Sequence, residues 1–470
     1  MKTYDFGIIG SGPAGYSAAI RASQLGKTVV LFEKEFLGGV CLNKGCIPTK
    51  TFLHSADVYN SLKKVSNLGI NIENYSLDFE KIADRKEKTV EKLRKSLEML
   101  LKSYGVEIVY AKAKIGNREQ GTGNSSSPFP LPSSLIEANG ETYECEHVLI
   151  ATGAEPKCVG GFEFDHEFIL SSDDVLNLKM LPKKVLIVGS GAIGIEWARI
   201  FSSFGTEVTI VEIADKLLPL ADFEVSQRLE RILKMMRVKM FLSTSVKEIR
   251  DKCVTLSSGE ILEPDFVLFA TGRGVNVLPY DGGIAIPPYD KEASHLSPLT
   301  SHLIGDASGS IQLAHFASHQ GVQIIENIVL GKEIKDFIVP SVVYGHPEIA
   351  WVGINEQDLQ SRVGLLSHQQ KADIQYKKSV FPISALGKAH ADGDLEGFIK
   401  ILADNDGKIL GAHIIAKEAS ALIHQLLIAM QNNLKIEDLK HCCFAHPTYS
   451  EGVYESLLGL DNESLALLKT

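Results

Sequence analysis

Short apolar runs alternate with amphipathic stretches in the first half of the chain, a pattern typical of parallel strands joined by covering helices. Residues 4–9 and 28–32 have the composition of buried strands, and a helix rich in small residues is predicted between them. The same arrangement returns at residues 185–188 and 208–211. The pattern therefore predicts two similar α/β units, one after the other.

Between these two units, residues 76–104 place apolar side chains at helical spacing with Lys, Arg and Glu on the other face, which predicts a long surface helix. Residues 106–115 are predicted to form a strand, and Asn139-Gly140 a hairpin turn. Residues 116–134 are rich in Gly, Ser, Asn and Pro and predict an exposed loop. The apolar positions assigned to the helix are Val90, Leu93, Leu97, Leu100 and Leu101.

After residue 342 the pattern of the chain changes. Residues 399–402 and 409–414 are strand-like runs joined by Asn405-Asp406-Gly407, and residues 418–432 predict a helix. The C-terminal part is therefore expected to be an α+β domain.

In each α/β unit a glycine-rich turn follows the first strand, and an acidic residue ends the second. Only glycine permits the tight turn and the close approach of the backbone to a pyrophosphate, which rests on the N-terminus of the next helix. The carboxylate is placed to accept hydrogen bonds from ribose hydroxyls. Two complete units imply two bound dinucleotides. The residues are Gly10, Gly12, Gly15 and Glu33 in the first unit and Gly189, Gly191, Gly194 and Glu212 in the second.

Two closely spaced cysteines, Cys41 and Cys46, follow the first unit. The residues between them predict a small loop that a disulfide can close with local backbone adjustment. Such a dithiol can open and close, passing two electrons in each cycle. The alternatives are half of a zinc site or two buried core thiols. A zinc site normally has tighter spacing and two more ligands nearby, and the next residue of ligand type is His54.

His446 and Glu451 lie in a second stretch that could carry chemistry, next to Pro447. An imidazole is the natural base for a thiol near neutral pH. A carboxylate can fix its tautomer and support the imidazolium. Alone, such a pair is more often part of an ordinary loop, but beside a dithiol we predict that it is catalytic.

Composition narrows the class of protein. The chain has 470 residues, 44% of them apolar, and a net charge of −10, which does not favour nucleic acid or an anionic membrane as partner. No apolar run approaches the length of a bilayer span, and Met1-Lys2-Thr3 leads straight into a strand, so we expect a cytoplasmic protein or a mature form that has already been trimmed. Seven cysteines are too few for a secreted disulfide framework. Apart from Cys41 and Cys46, they are interpreted as structural: Cys145, Cys158, Cys253, Cys442 and Cys443.

The string C-L-N-x-G-C-I-P-x-K, from Cys41 to Lys50, resembles a signature of the dithiol flavoprotein disulfide reductases, and the dihydrolipoamide dehydrogenase branch most closely. The resemblance runs from Tyr4 to about Leu458, with departures at Val275, where proline is usual, and at Gly345. It implies two Rossmann-like domains and a C-terminal α+β dimerisation domain. The implied boundaries are 1–150 for FAD binding, 151–272 for NAD binding, 273–340 for a segment returning to FAD, and 341–470 for the dimer interface.

The resemblance also implies the cofactors. The dithiol follows the first unit directly, so that unit is expected to hold FAD and the second NAD. Glu212 would repel a 2′-phosphate, and Lys216 is the only cation close to it in sequence. The FAD contacts implied are Gly10, Gly12, Gly15, Glu33, Lys50, Ala113, Thr152, Gly153, Asp306 and Ala314. The NAD contacts implied are Gly189, Gly191, Ile193, Gly194, Glu196, Glu212, Val246 and Gly272.

The reaction implied is oxidation of protein-bound dihydrolipoyl groups with reduction of NAD. In the family Cys41 would be the interchange thiol, Cys46 would face the flavin, and His446 with Glu451 would serve the partner subunit of a homodimer. Lys50 and Glu196 match residues that pair near the flavin. The partner would be a lipoyl-carrying acyltransferase or H-protein of a 2-oxoacid dehydrogenase or glycine-cleavage complex, with no metal, nucleic acid or membrane. The alternatives are an NAD(P)H-dependent glutathione-type or mercuric reductase, and a flavin-binding scaffold without turnover.

Overall fold

The computed structural model describes residues 2–116, 134–276, 301–365 and 375–467, so nearly all of the loop predicted at 116–134 lies outside the described residues. The chain forms two compact units. Unit 1 comprises Met1–Thr51, Glu80–Lys157 and Gly272–Lys335, and unit 2 comprises Phe52–Phe79, Cys158–Thr271 and Asp336–Thr470.

The regular elements are numbered here in chain order. The strands are β1 Lys2–Ile9, β2 Val29–Glu33, β3 Glu107–Tyr110, β4 Lys114–Gly116, β5 Ser134–Ala138, β6 Glu141–Ile150, β7 Ala154–Pro156, β8 Ile169–Leu170, β9 Lys184–Val188, β10 Glu207–Val211, β11 Lys239–Phe241, β12 Val246–Arg250, β13 Cys253–Leu256, β14 Ile261–Leu262, β15 Phe266–Phe269, β16 Arg273–Val275, β17 Ser301–Leu303, β18 Ser341–Val343, β19 Glu348–Gly353, β20 Tyr376–Pro382, β21 Phe398–Asp404 and β22 Ile409–Ala416. The helices are α1 Pro13–Gln24, α2 Gly39–Lys44, α3 Cys46–Leu62, α4 Phe79–Ser103, α5 Ala192–Ser203, α6 Phe223–Met235, α7 Ala314–Leu330, α8 Glu356–Leu365, α9 Gly387–Asp392, α10 Ala419–Gln431, α11 Ile436–Lys440 and α12 Ser450–Gly459.

Unit 1 is built on a sheet in the order β3-β2-β1-β6-β5-β4, with β17 also paired to β6. Strands β3, β2, β1, β6 and β17 run parallel. Helices α1 and α7 pack together on this sheet, and Gly321 of α7 lets them approach, because a Cβ there would lie 2.4 Å from the carbonyl oxygen of Ala14. The predicted first α/β unit is confirmed.

Two predictions in unit 1 need comment. The single strand predicted at 106–115 is wrong: β3 ends at Tyr110 and β4 begins at Lys114, and β4 pairs antiparallel with β5 instead of continuing along β2. The hairpin turn is confirmed, since Asn139 and Gly140 have φ of 52° and 77° and join β5 to β6. Positive φ at both central residues is what a tight two-residue hairpin needs.

The predicted long helix is confirmed as α4, but its buried face is only partly the one expected. Val90 and Leu101 are buried, whereas Leu93 and Leu100 are exposed. The buried stripe in the first half of the helix consists of Phe79, Ala83, Lys86 and Val90. These residues are three or four positions apart, a spacing that keeps them on one face of the helix.

Unit 2 contains a five-stranded parallel sheet in the order β11-β10-β9-β15-β8, and a three-stranded antiparallel sheet, β12-β13-β14. The order β11-β10-β9-β15 repeats the order β3-β2-β1-β6 of unit 1. The predicted internal repeat is therefore confirmed at the level of topology.

The C-terminal part of unit 2 is an antiparallel sheet in the order β18-β19-β22-β21-β20, with α10 and α12 packed on it. Its core is apolar and includes Phe381, Ile401, Ile414 and Leu426. The predicted fold class, two Rossmann-like domains followed by an α+β domain, is confirmed. The four ligand-based boundaries stay a prediction.

A buried charged group lies inside unit 2. Lys400 of β21 is 1% exposed, and its Nζ lies 2.8 Å from Asp222 Oδ1 and 2.6 Å from Glu356 Oε2. Burial acts to lower the pKa of Lys400, but hydrogen bonds to these two carboxylates outweigh it and the pKa is raised. The pKa values of Asp222 and Glu356 are lowered in turn, although burial opposes the change. All three groups are therefore charged at neutral pH.

Candidate active site

The first glycine-rich turn, between β1 and α1, is packed so closely that side chains are excluded. A Cβ on Gly10 would lie 2.3 Å from the carbonyl oxygen of Ala151, and a Cβ on Gly15 would lie 1.9 Å from that of Gly10. Gly12 is less crowded, because the nearest atom to a Cβ there would be Gly39 Cα at 3.9 Å, an ordinary van der Waals distance. Gly12 is also the N-cap of α1, and neither a side-chain cap nor an acidic residue occupies the first turn of this helix. The turn thus offers uncapped N–H groups and room for a phosphate.

The carboxylate at the end of β2 is held in place by the same turn. Glu33 Oε2 accepts hydrogen bonds from Ser11 N (3.0 Å) and Ser11 Oγ (2.5 Å), and Glu33 Oε1 accepts one from Glu35 N (2.9 Å). An ionised carboxylate has about four acceptor sites. Glu33 therefore retains capacity for a ligand hydroxyl and is fixed in orientation.

Unit 2 reproduces this arrangement. Glu212 Oε2 accepts from Ser190 N (2.7 Å) and Ser190 Oγ (2.8 Å), and Glu212 Oε1 accepts from Ala214 N (2.9 Å). Gly191 is an N-cap without a side-chain hydrogen bond, and a Cβ on it would meet nothing within 4 Å. The serine in each G-S-G turn was missed in the sequence, although its recurrence at both turns was a visible signal.

The two cysteines do not lie in a loop, and that prediction is wrong. Cys41 is in α2, Cys46 is the first residue of α3, and Gly45 separates the two helices. The two side chains are not joined by a disulfide but contact each other: the hydrogen bond to Cys46, followed by burial, raises the pKa of Cys41, while the charge of Lys50 opposes the change. The predicted pair is thus brought together, with Lys50 one turn along α3.

The start of α2 rests on the first glycine-rich turn. A Cβ on Gly39 would lie 2.6 Å from Gly12 Cα, and Gly38 N donates hydrogen bonds to Ser11 O (3.1 Å) and Ser11 Oγ (3.2 Å). Gly38 has a φ of 97° and Gly39 a φ of 58°. Glycine is needed at position 39 because a side chain would block this contact, and at position 38 because a Cβ would lie 2.6 Å from Leu42 Cδ2. The dithiol is consequently built directly on the first dinucleotide turn.

Three further side chains support the dithiol and were missed in the sequence. Asn43 Nδ2 donates to Leu37 O (2.9 Å) and Gly39 O (2.8 Å), and Arg94 Nε donates to Asn43 Oδ1 (2.9 Å). Tyr16 lies near both thiols: burial raises its pKa, and the charges of Cys41 and Cys46 act in the same direction. None of these contacts carries a local sequence signal.

The remaining residues predicted to contact FAD lie in unit 1. Thr152 and Gly153 directly follow Ala151, whose carbonyl closes over Gly10. Asp306 is largely buried, which raises its pKa, and the charge of Arg273 partly offsets this. The other members of this set are Ala113, buried between β3 and β4, and Ala314, the first residue of α7.

The remaining residues predicted to contact NAD are divided between the units. Ile193 and Glu196 lie on α5, and Val246 is the first residue of β12, all in unit 2. Gly272 belongs to unit 1, where its carbonyl accepts a hydrogen bond from Lys157 N (3.0 Å). Lys216 is the cation nearest in sequence to Glu212. Its ammonium group donates a hydrogen bond to the backbone oxygen of Ala221 (2.7 Å), which holds the side chain in place.

The predicted base and its carboxylate are in contact. His446 Nδ1 lies 2.8 Å from Glu451 Oε1, and Thr448 N donates to Glu451 Oε2 (2.8 Å). Although burial would raise it, the pKa of Glu451 is lowered because His446 and Thr448 hydrogen-bond to the carboxylate. The His446 side chain is 77% exposed. The opposite ring nitrogen, Nε2, is left to exchange a proton.

The remaining cysteines differ in exposure. Cys145 is fully buried, which fits the structural interpretation, Cys158 and Cys253 are partly buried, and Cys442 and Cys443 are exposed, so for these four the interpretation stays a prediction. Within the described residues, no three His, Cys, Asp or Glu side chains cluster in a way that could hold a metal ion. Among the described helices, none has the length and apolarity needed to cross a bilayer.

Two dinucleotide turns and a dithiol packed on one of them define a disulfide oxidoreductase that uses two nucleotides. Residues 4–321 match the model of the pyridine nucleotide-disulphide oxidoreductases, and residues 339–457 match the dimerisation domain of that family. The chain therefore belongs to the pyridine nucleotide-disulphide oxidoreductase family, and the resemblance drawn from the cysteine motif is confirmed.

Similar proteins agree with this assignment. The mitochondrial dihydrolipoyl dehydrogenase of Dictyostelium discoideum is 34% identical over 480 residues, which cover 97% of this chain and 93% of that protein. The dihydrolipoyl dehydrogenase of Bacillus subtilis is 34% identical over 494 residues, covering 98% and 99%. The crystal structure of LpdA from Mycobacterium tuberculosis superposes with a TM-score of 0.84 at 24% identity, covering 98% of this chain and 100% of that one, and supports the fold.

These relatives fix the general chemistry. The family is enzymatic, its dihydrolipoyl dehydrogenases are oxidoreductases acting on sulfur groups, and they use FAD and NAD, the two cofactors predicted from the sequence. The matched dimerisation domain supports a homodimer.

Proposed function

We propose that the protein oxidises protein-bound dihydrolipoyl groups to the lipoyl disulfide and reduces NAD. The observation that carries the proposal is the Cys41–Cys46 pair, held on two successive helices, the first of which begins against the first dinucleotide turn. FAD, when bound in unit 1, would carry the two electrons between this pair and NAD. The relatives named dihydrolipoyl dehydrogenase support the choice of substrate.

The two thiols have distinct roles in this proposal. Cys46 is the first residue of α3, a 17-residue helix whose N-terminus favours a thiolate. Cys41, whose pKa is raised beside Cys46, is the interchange thiol that the substrate attacks first. In the oxidised enzyme the substrate thiolate forms a mixed disulfide with Cys41 and releases Cys46 as a thiolate. The second substrate thiol then displaces Cys41, which closes the lipoyl ring.

Proton transfer is assigned to His446. Its Nε2 takes the proton of the first substrate thiol, and Glu451 at Nδ1 holds the ring in the required tautomer and stabilises the imidazolium. In the proposed homodimer, His446 and Glu451 act on the dithiol of the other subunit.

The residues of unit 1 fit FAD. The glycine turn at Gly12 and the uncapped start of α1 would take the pyrophosphate, and Glu33 would accept a ribose hydroxyl. The buried Asp306 would bind a hydroxyl of the flavin side chain. Lys50 and Glu196 are proposed to lie near the flavin, with Lys50 favouring negative charge on the reduced ring.

The partner is proposed to be a lipoyl-carrying acyltransferase or H-protein of a 2-oxoacid dehydrogenase or glycine-cleavage complex. A steady-state assay of the purified FAD-bound protein tests the function. Dihydrolipoamide and oxidised glutathione are each supplied as the sulfur substrate, with each nicotinamide. Turnover of dihydrolipoamide with NAD is expected, and turnover of glutathione with NADPH instead would assign the protein to the glutathione-type reductases.

The same assay measures nucleotide preference. Glu212 should favour NAD over NADP, because its buried carboxylate accepts from the ribose hydroxyl and repels a 2′-phosphate, while Lys216 is held by Ala221 O. We expect a higher kcat/KM for NAD than for NADP. Glu212→Gln should bring the two kcat/KM values closer together, because it removes the repulsion between the carboxylate and the 2′-phosphate of NADP. Equal values for the wild-type protein, or preference for NADP, would contradict the assignment.

The roles of the two thiols can be separated by absorbance. Cys41→Ser should leave a Cys46 thiolate beside oxidised flavin and produce a long-wavelength charge-transfer band, whereas Cys46→Ser should lack it. Both variants should fail to oxidise dihydrolipoamide. Cys253→Ser, at a cysteine far from Cys41 in sequence, is the control. A band that appears in Cys46→Ser instead would reverse the two roles.

A further inference from the structure

A buried arginine of α5 makes contacts that the proposed reaction does not explain. Arg199 is 3% exposed, and its Nη1 donates to Tyr344 O (3.3 Å) and Pro347 O (2.7 Å). Its Nε and Nη2 are buried without a hydrogen-bond partner among the described residues. Burial lowers the pKa of Arg199 to about 10, so it stays charged at neutral pH. A buried guanidinium is costly unless it is hydrogen-bonded and balanced by opposite charge.

The balancing charges come from three elements of unit 2. Asp57 of α3, Glu196 of α5 and Glu348 of β19 each act to keep Arg199 protonated. The carboxylate of Asp57 is itself largely buried, which raises its pKa, while His346 and Arg199 act in the opposite direction. Arg199 is therefore the cation at the centre of a group of buried or partly buried acids.

The segment before β19 is held at one residue, Tyr344, through hydrogen bonds to both its backbone N–H and its carbonyl oxygen. Glu196 Oε1 accepts a hydrogen bond from Tyr344 N (3.0 Å), while Arg199 holds Tyr344 O. Glu196 and Arg199 are three residues apart on α5 and so project from neighbouring positions on one face. The position of Tyr344 and the orientation of the Glu196 carboxylate are fixed by the same pair of contacts.

Gly345 makes this arrangement possible. Its φ is 138°, and a Cβ on it would lie 2.1 Å from Arg199 Nη1 and 2.6 Å from Arg199 Cδ. An added methyl group would therefore displace the Arg199 guanidinium from its hydrogen bonds to Tyr344 O and Pro347 O. Glycine at position 345, where this chain departs from the family, is therefore explained by Arg199, because the guanidinium occupies the space that a side chain at 345 would need.

We propose that Arg199 is a positioning residue for the nicotinamide half of the reaction, acting through Tyr344 to hold the Glu196 carboxylate. This rests on the proposed function, in which Glu196 lies near the flavin and NAD. Loss of Arg199 would let residues 344–347 move and would release Glu196 from a fixed orientation. Displacements of about 1 Å in such supports can cost on the order of 10²-fold in rate.

The test measures the two half-reactions separately in the FAD-bound protein. Rapid-mixing absorbance follows reduction of the oxidised enzyme by dihydrolipoamide and, in a second experiment, reoxidation of the reduced enzyme by NAD. Arg199→Met should slow the NAD half-reaction by roughly 10- to 100-fold and leave the dihydrolipoamide half-reaction unchanged. Arg199→Lys, which keeps a charge and a donor, should fall between. Equal slowing of both half-reactions, or an unchanged NAD half-reaction, would overturn the proposal.

A second variant approaches the contact from the other side. Gly345→Ala should reproduce the selective loss in the NAD half-reaction, and a normal rate in this variant would also overturn the proposal. If Arg199→Met does not accumulate as FAD-bound protein, the Gly345→Ala variant alone tests the proposal. The controls are Arg228→Met, at an arginine with a partly exposed ion pair to Glu396 (3.0 Å), and Gly387→Ala, where a Cβ meets nothing within 4 Å. Both should behave as wild type.

Oxidation of NADH by ferricyanide separates this proposal from the proposed substrate. If the wild-type protein does not oxidise dihydrolipoamide, the proposed function fails, but the ferricyanide rate still reports on the nicotinamide half-reaction. Selective slowing of that rate in Arg199→Met and Gly345→Ala would then support the positioning role, and wild-type rates in both would reject it.

Discussion

Replacing His446 by Gln should slow dihydrolipoamide oxidation by ~10² to 10⁴-fold, the usual contribution of a general base. The substitution keeps a polar side chain of similar size but removes the nitrogen that accepts the thiol proton. Glu451→Gln should cost less, because Glu451 orients the ring through Nδ1 and does not itself take the proton. His441→Gln is the matched control, since His441 is exposed to a similar degree, 80%, on the same segment.

A mixed dimer extends this prediction to the proposed subunit arrangement. A Cys41→Ser chain is co-expressed with a His446→Gln chain, and the heterodimer is isolated by two different tags. If each site takes Cys41 and His446 from different subunits, one site loses both groups and the other is intact. The heterodimer should then keep about half of the wild-type activity, by site counting on a two-fold dimer. A nearly inactive heterodimer would mean that both groups come from one chain.

The largest expected effect on stability comes from Lys400→Met. The substitution removes the buried cation from Asp222 and leaves Glu356 with the partly exposed Lys378, and breaking a buried ion pair in this way costs about 3–5 kcal/mol. For a domain of this size we expect the corresponding thermal transition to fall by about 10 °C. Differential scanning calorimetry of the FAD-bound protein measures this shift.

Lys378→Met provides the matched control for Lys400. Lys378 Nζ lies 3.0 Å from Glu356 Oε1, but its side chain is 39% exposed, and exposed pairs contribute about 0–1 kcal/mol. The same acid thus loses a buried lysine in one variant and an exposed lysine in the other. Similar transition temperatures for the two variants would show that the buried group is not the source of stability.

The parts of the fold that could be predicted from the sequence are those with a local cause. The glycine turns, the acids Glu33 and Glu212 and the pairing of the two cysteines each depend on residue type at short spacing, and the structure brings each acid to its turn and the two cysteines together. The dithiol loop was mispredicted because Gly45 and the flanking glycines suggested irregular backbone. They instead permit a helix break and the contact of Gly39 with Gly12.

The features that escaped prediction depend on tertiary contacts. Lys400 lies among apolar residues that run from Phe398 to Ala403, and the carboxylates that make its burial tolerable, Asp222 and Glu356, are distant in sequence. The contact between Arg199 and Gly345 joins positions that are far apart in the sequence. No periodicity or motif connects such pairs, so the sequence alone could not show that they meet.

The matching serine–glutamate pairs of the two units have a consequence for how the protein tells its nucleotides apart. FAD and NAD share an adenosine diphosphate half, and in the proposed function Ser11 with Glu33 would bind it by the same hydrogen-bonding arrangement as Ser190 with Glu212. If both sites bind this half in the same way, selection between the two ligands would depend on the opposite halves, where isoalloxazine and nicotinamide differ. Engineering that exchanges the two serine–glutamate pairs should therefore leave each nucleotide in its own site.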